Sequence, residues 1–310
     1  MNPAFRWQGR IDQYETGVST RWHQQMRSLD EHSHGGVALM GFAVDEGVRR
    51  NAGRPGAAEG PRALRAALAN LPILGEPALW DAGDVQCEAG DLEAAQGALA
   101  AQVARVMRQA CLPLVLGGGH EVAWATFQGI MAARPDIKRL LIVNFDAHFD
   151  LRQAERGNSG TPFRQIREWC VARGMPFDYR VLGISRFANT QALFERAQAW
   201  GVRYWLDDEL QTAPDVEVAR AALQQDLQHC DAVYLTCCLD VLPGGQAPGV
   251  SAPAALGVPL ANLLALADEV LSAGKLVAAD IAELNPALDR DGLTARVAAR
   301  IAAHIARKAG

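Results

Sequence analysis

Short apolar runs alternate along the chain with longer segments in which apolar residues recur at helical spacing. The runs 37–42, 78–81, 112–116, 140–143, 180–184, 202–205, 232–240 and 276–281 read as strands, several of them apolar throughout, as in strands covered on both faces. Helices are expected from Pro61 to about Asn70, from about Leu92 to Gln109, from roughly Val122 to Ala133, near 190–200, near 216–228, near 259–273, and from about Asp291 onward. Pro61 sits near the start of its helix, where its missing N–H costs nothing. Residues 45–54 and 151–165 read as loops, and the polar residues 1–35 as an arm before the core. Strands alternating with helices of ten or more residues imply a parallel sheet covered on both faces. The expectation is an arm, 1–35, and one α/β domain, 36–310, of three layers and about eight strands. A closed (β/α)8 barrel is the competing topology. In either case ligands gather at the carboxyl ends of the strands.

Composition narrows the class. At 310 residues the chain can bury a large core, and 49% hydrophobic with 21% charged residues is ordinary for a soluble enzyme. A net charge of −5, with no basic cluster interleaved with aromatics, argues against nucleic acid or an anionic membrane as partner. The first ten residues lack an apolar signal core, and no run approaches transmembrane length. Cys87, Cys111, Cys170, Cys230, Cys237 and Cys238 have no C-x-x-C spacing, which reads as reduced thiols in a cytoplasmic protein.

The chemistry concentrates where strands end. In Asn144-Phe145-Asp146-Ala147-His148-Phe149-Asp150, strand alternation would send Asp146, His148 and Asp150 to one side, offering oxygen and imidazole ligands to a divalent cation. Solvated loop acids or helix caps are the alternative. His120 follows Gly117, Gly118 and Gly119, a turn that lacks the lysine and hydroxyl of a phosphate loop. Cys238 and Asp240 face together by alternation, and Cys237 should face away. Glu283 ends the last strand. Taken together, these positions suggest two cations sharing Asp146, a pairing that can hold a bridging hydroxide at neutral pH. His23, His32, His34, His229 and His304 read as surface residues.

These motifs resemble the ureohydrolases, the arginase and agmatinase group. The match rests on Gly-Gly-Gly-His120-Glu, Asn-Phe-Asp146-Ala-His148-Phe-Asp150, the Asp240 strand end and Asp-Ile-Ala-Glu283-Leu-Asn-Pro286, in the group's order from Gly41 onward. Residues 45–51, 159–166 and 247–253 look most like the branch that hydrolyses N-formimidoyl-L-glutamate to L-glutamate and formamide in histidine degradation. The resemblance implies an open, doubly wound sheet, a homo-oligomer and two Mn2+ ions per subunit. One ion would take His120, Asp146 and Asp150, the other Asp146, His148 and Asp240. The group usually carries a bridging aspartate where this chain has Cys238. Its softer sulfur suggests a tolerated cysteine, another divalent metal, or a single tightly held ion.

The resemblance also implies roles. Asp150 would relay the proton of the metal-bridged hydroxide to the departing nitrogen, and Glu283 would pair with the cationic amidine. A substrate with two carboxylates needs cationic or neutral donors, for which Arg152, Ser159, Gly160, Thr161 and Arg164 are candidates. For either arginine a solvated charge or a structural salt bridge is the plainer alternative. Asn51 and Arg54 offer a weaker case for the same mouth. No histidine occurs from Leu151 to Gln165, which argues against the arginase and agmatinase activities. The rival functions are another guanidino or amidino hydrolase of the group and a non-catalytic relative marked by Cys238.

Overall fold

In the computed structural model, which describes residues 5–73, 75 and 77–309, the apolar runs become strands of one sheet. These are β1 (Arg27–Ser28), β2 (Val37–Ala43), β3 (Leu79–Gln86), β4 (Leu112–Leu116), β5 (Leu140–Phe145), β6 (Asp178–Ile184), β7 (Arg203–Leu206), β8 (Ala232–Cys238) and β9 (Leu276–Ala282). They pair in the order β1-β3-β2-β4-β9-β8-β5-β6-β7, every strand pairing parallel. β1 and β7 remain edges, so the sheet is open and the barrel is excluded. The sheet has nine strands against an expected eight or so. The extra one, β1, is a two-residue strand in the arm, paired with Trp80 and Asp81 and too short to show periodicity.

Alternation sorts each strand between two cores. On β5, Leu141, Val143 and Phe145 enter one core, while Leu140 and Ile142 enter the other. Helices Gly60–Ala69, Ala213–Gln228, Leu260–Ser272 and Leu293–Ala309 cover the first face. Helices Leu92–Arg108, Val122–Ala133, Pro162–Ala172 and Gln191–Ala199 cover the second, completing three layers. Among the described residues no helix is long and apolar enough to cross a membrane.

Two expected loops contain helices. Pro162–Ala172 begins inside 151–165, with proline in its first turn and Phe163, Ile166 and Cys170 buried along one face. Glu46–Arg50 forms a short helix inside 45–54. The helix expected near 216 begins at Ala213, where Thr212 and Asp215 form a capping box.

After β4 the chain crosses to β5, builds β6 and β7 outward, then returns to fill the centre with β8 and β9. The carboxyl ends of β4, β9, β8 and β5 therefore stand side by side. Ligand sites of open parallel sheets lie at such reversals of strand order.

Candidate metal centre

The turn after β4 threads a narrow gap. A Cβ on Gly118 would lie 1.7 Å from the Val44 carbonyl oxygen, and one on Gly119 would lie 2.1 Å from Glu121 Oε2. Only glycine fits there. The turn delivers His120, 1% exposed, into the gap between strand ends. Its backbone N–H donates to Glu283 Oε1 at 3.0 Å, and the Glu283 N–H donates to the Gly118 carbonyl at 2.8 Å. β4 and β9 thus hold each other's functional residues.

Strand alternation does not place Asp146, His148 and Asp150, because β5 stops at Phe145. A bent segment follows, and Asp150 takes a left-handed φ of +50°. The side chains converge because their loop is pinned. Asn144 Nδ2 donates to Asp146 Oδ2 at 3.0 Å and to the Tyr179 hydroxyl at 2.9 Å, and that hydroxyl donates to the Phe149 carbonyl at 3.2 Å. The His148 N–H donates to Asp146 Oδ1 at 2.8 Å. Asn189 accepts from the Phe149 N–H at 3.1 Å and donates to the Ala147 carbonyl at 2.9 Å. Glu283, with φ +72°, is the second acid of the site in left-handed backbone. Each such position costs on the order of 1–3 kcal/mol, and such strain clusters at functional sites.

The side chains form two donor groups. Ligand atoms of His120, Asp146 and Cys238 lie within 4.8 Å of one another, as do those of Asp146, His148 and Asp240. Asp146 belongs to both. His120 Nδ1 is 3.0 Å from Asp146 Oδ2 and 2.9 Å from Asp150 Oδ2, so Asp150 reaches the first group through His120. His148 Nδ1 is 3.1 Å from Asp240 Oδ2 and 3.5 Å from Asp146 Oδ1. Cys238 closes β8 and faces the groups, while Cys237 packs into the opposite core.

Burial in so acidic a site moves several proton equilibria. Burial opposes charge on His120, but the Asp146 and Asp150 carboxylates win and raise it well above its ordinary value. His148 is raised likewise, by Asp240 and then Asp146. Burial would raise Asp146, yet the His120 and His148 rings paired with it hold it below the usual carboxylate range. Burial and the Asp146 charge push Asp150 up to about 6. Burial, Glu121 and Asp240 push Glu283 up to about 8. The Cys238 thiol is raised by burial and by Asp146, Asp240 and Glu283.

This donor set fits divalent cations. His120 Nδ1 and Asp240 Oδ1 are buried, and neither is aligned for a hydrogen bond with any described residue. Such orphans cost free energy that a metal ion removes. Carboxylate and imidazole suit Mn2+; the Cys238 sulfur is the one soft donor.

The substrate candidates separate. The Ser159 hydroxyl accepts from Asn51 Nδ2 at 3.1 Å, and the Gly160 N–H donates to Asn158 Oδ1 at 2.9 Å. The Thr161 hydroxyl is bonded to Asn158 and Gln165. The Arg164 guanidinium is held by the Arg152 carbonyl at 2.8 Å and by Glu168 at 2.6 Å. Arg152 differs: its exposed side chain crosses Gly160 and has no ion-pair partner among the described residues. Arg54 bonds the Val250 and Ser251 carbonyls, each at 2.8 Å, joining the segments around 45–54 and 247–253.

Other residues at the site escaped the sequence reading. Glu121 is buried, receives the Gly47 N–H at 2.8 Å, and is pushed up to about 7 by burial. Thr236 and Asp280 lie behind His120, 0% exposed. A polar residue inside an apolar strand was the available signal for these two. His304 is buried rather than on the surface, with Nε2 2.8 Å from Asp268.

A family model described as the arginase family matches residues 35–307. A formimidoylglutamase of Ralstonia nicotianae is 53% identical over 307 residues, covering 96% of this chain and 94% of the relative. A formimidoylglutamase of Cupriavidus pinatubonensis is 52% identical and covers 96% of each chain. Among solved structures, a Trypanosoma cruzi formiminoglutamase with Mn2+ superposes with a TM-score of 0.79 at 25% identity, covering 94% of this chain and 98% of the other.

Proposed function

The chain belongs to the arginase family, and we propose that it hydrolyses N-formimidoyl-L-glutamate to L-glutamate and formamide. Its similarity over nearly full length to formimidoylglutamases supports the substrate. The observation that carries the chemistry is the pair of donor groups sharing Asp146.

His120, Asp146, His148, Asp150 and Asp240 would hold two divalent cations, which we assign as Mn2+, with Cys238 beside the shared position. Bound there, the cations supply Lewis acidity and a water that ionises near neutral pH. The chain's own residues do the rest. Water oxygen joins the formimidoyl carbon, the bond from that carbon to the glutamate nitrogen breaks, and this nitrogen takes a proton. Asp150, 2.9 Å from His120 Nδ1 at the first donor group, carries that proton across. Glu283, buried and anchored on the His120 N–H, faces the cationic amidine and orients it. Arg152 binds a substrate carboxylate, and the segment holding Ser159, Gly160, Thr161 and Arg164 forms the wall that positions it.

In this reading the arm, 1–35, precedes one catalytic domain, 36–310. The protein works in the cytoplasm, which the free state of all six cysteines supports. It assembles as a homo-oligomer, for which exposed Ile11, Tyr14 and Val18 supply apolar surface.

The test is hydrolysis by the Mn2+-loaded protein of formimidoylglutamate beside arginine, agmatine and guanidinobutyrate. Turnover of the first alone is expected. Preference for a guanidino compound would reassign the substrate, and no turnover of any would mark a non-catalytic relative.

A further inference from the structure

Behind His120, between β8 and β9, lies a buried polar chain that the proposed chemistry does not use. Tyr234 and Thr236 share the face of β8 that carries Cys238, and Thr236 pairs in register with Asp280 on β9. All three are 0% exposed. His120 Nε2 lies 3.0 Å from Thr236 Oγ1. The Tyr234 hydroxyl donates to Asp280 Oδ2, Thr236 stands in register beside the same residue, and the Thr126 hydroxyl donates to the Val122 carbonyl at 3.3 Å. Asp280 Oδ1 is buried with no aligned hydrogen-bond partner among the described residues. A carboxylate at the centre of a sheet is costly to bury, and among the described residues no lysine or arginine forms an ion pair with this one. Burial raises it, and the His120 charge opposes that.

We propose that Asp280, acting through Thr236, is a positioning residue that keeps a proton on His120 Nε2 and turns Nδ1 toward the donor groups. The polarity follows from the inventory of donors and acceptors. A carboxylate only accepts, so the charge of Asp280, in register beside Thr236, turns the hydrogen of that hydroxyl away from the His120 ring. The Thr236 oxygen then presents a lone pair to the ring, and Nε2 must carry the hydrogen that meets it. Nδ1 is left as the ligand atom, 2.9 Å from Asp150 and 3.0 Å from Asp146. A hydroxyl and a carboxylate in series thereby do what a carboxylate commonly does directly behind a metal-binding histidine. The inference rests on His120 being a metal ligand, and needs no assumption about the substrate.

Thr236→Val keeps the shape and removes the hydroxyl; Thr236→Ser keeps the hydroxyl; Asp280→Asn removes the charge. Mn2+ affinity is measured by calorimetry. The Nε2-bound proton of His120 is observed by NMR in Zn2+-loaded, 15N-histidine-labelled protein, assigned by its loss in His120→Gln. Wild type and Thr236→Ser should show a downfield, exchange-protected proton and equal Mn2+ affinity. Thr236→Val and Asp280→Asn should shift that proton upfield and weaken Mn2+ about 10- to 100-fold. Should Thr236→Val fail to fold, Asp280→Asn carries the same comparison. An unshifted proton with unchanged affinity in the folded variants overturns the proposal. Both readouts are made without substrate, so a chain that passes them yet leaves formimidoylglutamate intact counts against the substrate alone.

Discussion

Cys238 is the residue at which this donor set departs from hard chemistry. Burial and three surrounding acids raise its thiol, so in the metal-free protein it gives up its proton less readily than a carboxylate would. Cys238→Asp should therefore bind Mn2+ more tightly at the shared position and turn over faster at limiting metal. Weaker Mn2+ binding in that variant would show the sulfur to be a working ligand. Arg152 and Arg164 make a second contrast. From sequence they were equal candidates, because partners do not show in a one-dimensional pattern; in the fold, Arg164 is consumed by the loop and Glu168, while Arg152 has no ion-pair partner among the described residues. Arg152→Ala should raise KM by about tenfold to a hundredfold with little change in kcat, as expected for losing a charged hydrogen bond. Arg164→Ala should act instead on thermal stability. Equal KM effects in steady-state kinetics would contradict the distinction.

At the scale of elements, legibility followed length. Strands β4, β5 and β9 and the helix Val122–Ala133 were readable because their apolar residues form uninterrupted or periodic runs. The helix Glu46–Arg50 was not, being little more than a turn and carrying three charges. Its placement depends on contacts distant in sequence. Glu121 accepts the Gly47 N–H, Asn51 reaches Ser159, and Arg50 donates to the Gly157 carbonyl at 3.1 Å and to Glu93 at 2.8 Å. Asp146, His148 and Asp150 were grouped by strand alternation, and that reason does not hold for the chain beyond Phe145. Alternation requires extended backbone, and the loop after Phe145 brings them together through a left-handed residue and asparagine clamps. Arg50→Ala should cost about 1–3 kcal/mol of stability and speed amide exchange between 151 and 161, leaving the metal affinity intact. Unchanged exchange in that segment would show the brace to be idle.

For the whole molecule, periodicity implied three layers and a parallel sheet, but strand order is a property of the crossovers, and only the family resemblance favoured an open sheet. That order sets four strand ends together and gathers several acids and two histidines at one spot. The stability of the metal-free protein carries the mark of this crowding. Glu121 and Glu283 are raised to about 7 and about 8, and both histidines are raised as well. Through these groups the folded state binds more protons than the unfolded chain, so their contribution to stability falls as pH rises from about 5 to about 8. Asp146, lowered, contributes its pH dependence below that window. Thermal melts of metal-free protein should accordingly drop across this range, and Mn2+ should restore most of the loss at the alkaline end; a flat or rising profile would contradict the electrostatics. The most direct measurement is metal content and formimidoylglutamate turnover of wild type and Asp146→Ala after Mn2+ loading. Wild type should hold a pair of ions per chain and hydrolyse the substrate, and the variant should lose both ions and fall to background. A variant that keeps its metal or its activity would contradict a centre built on a shared Asp146.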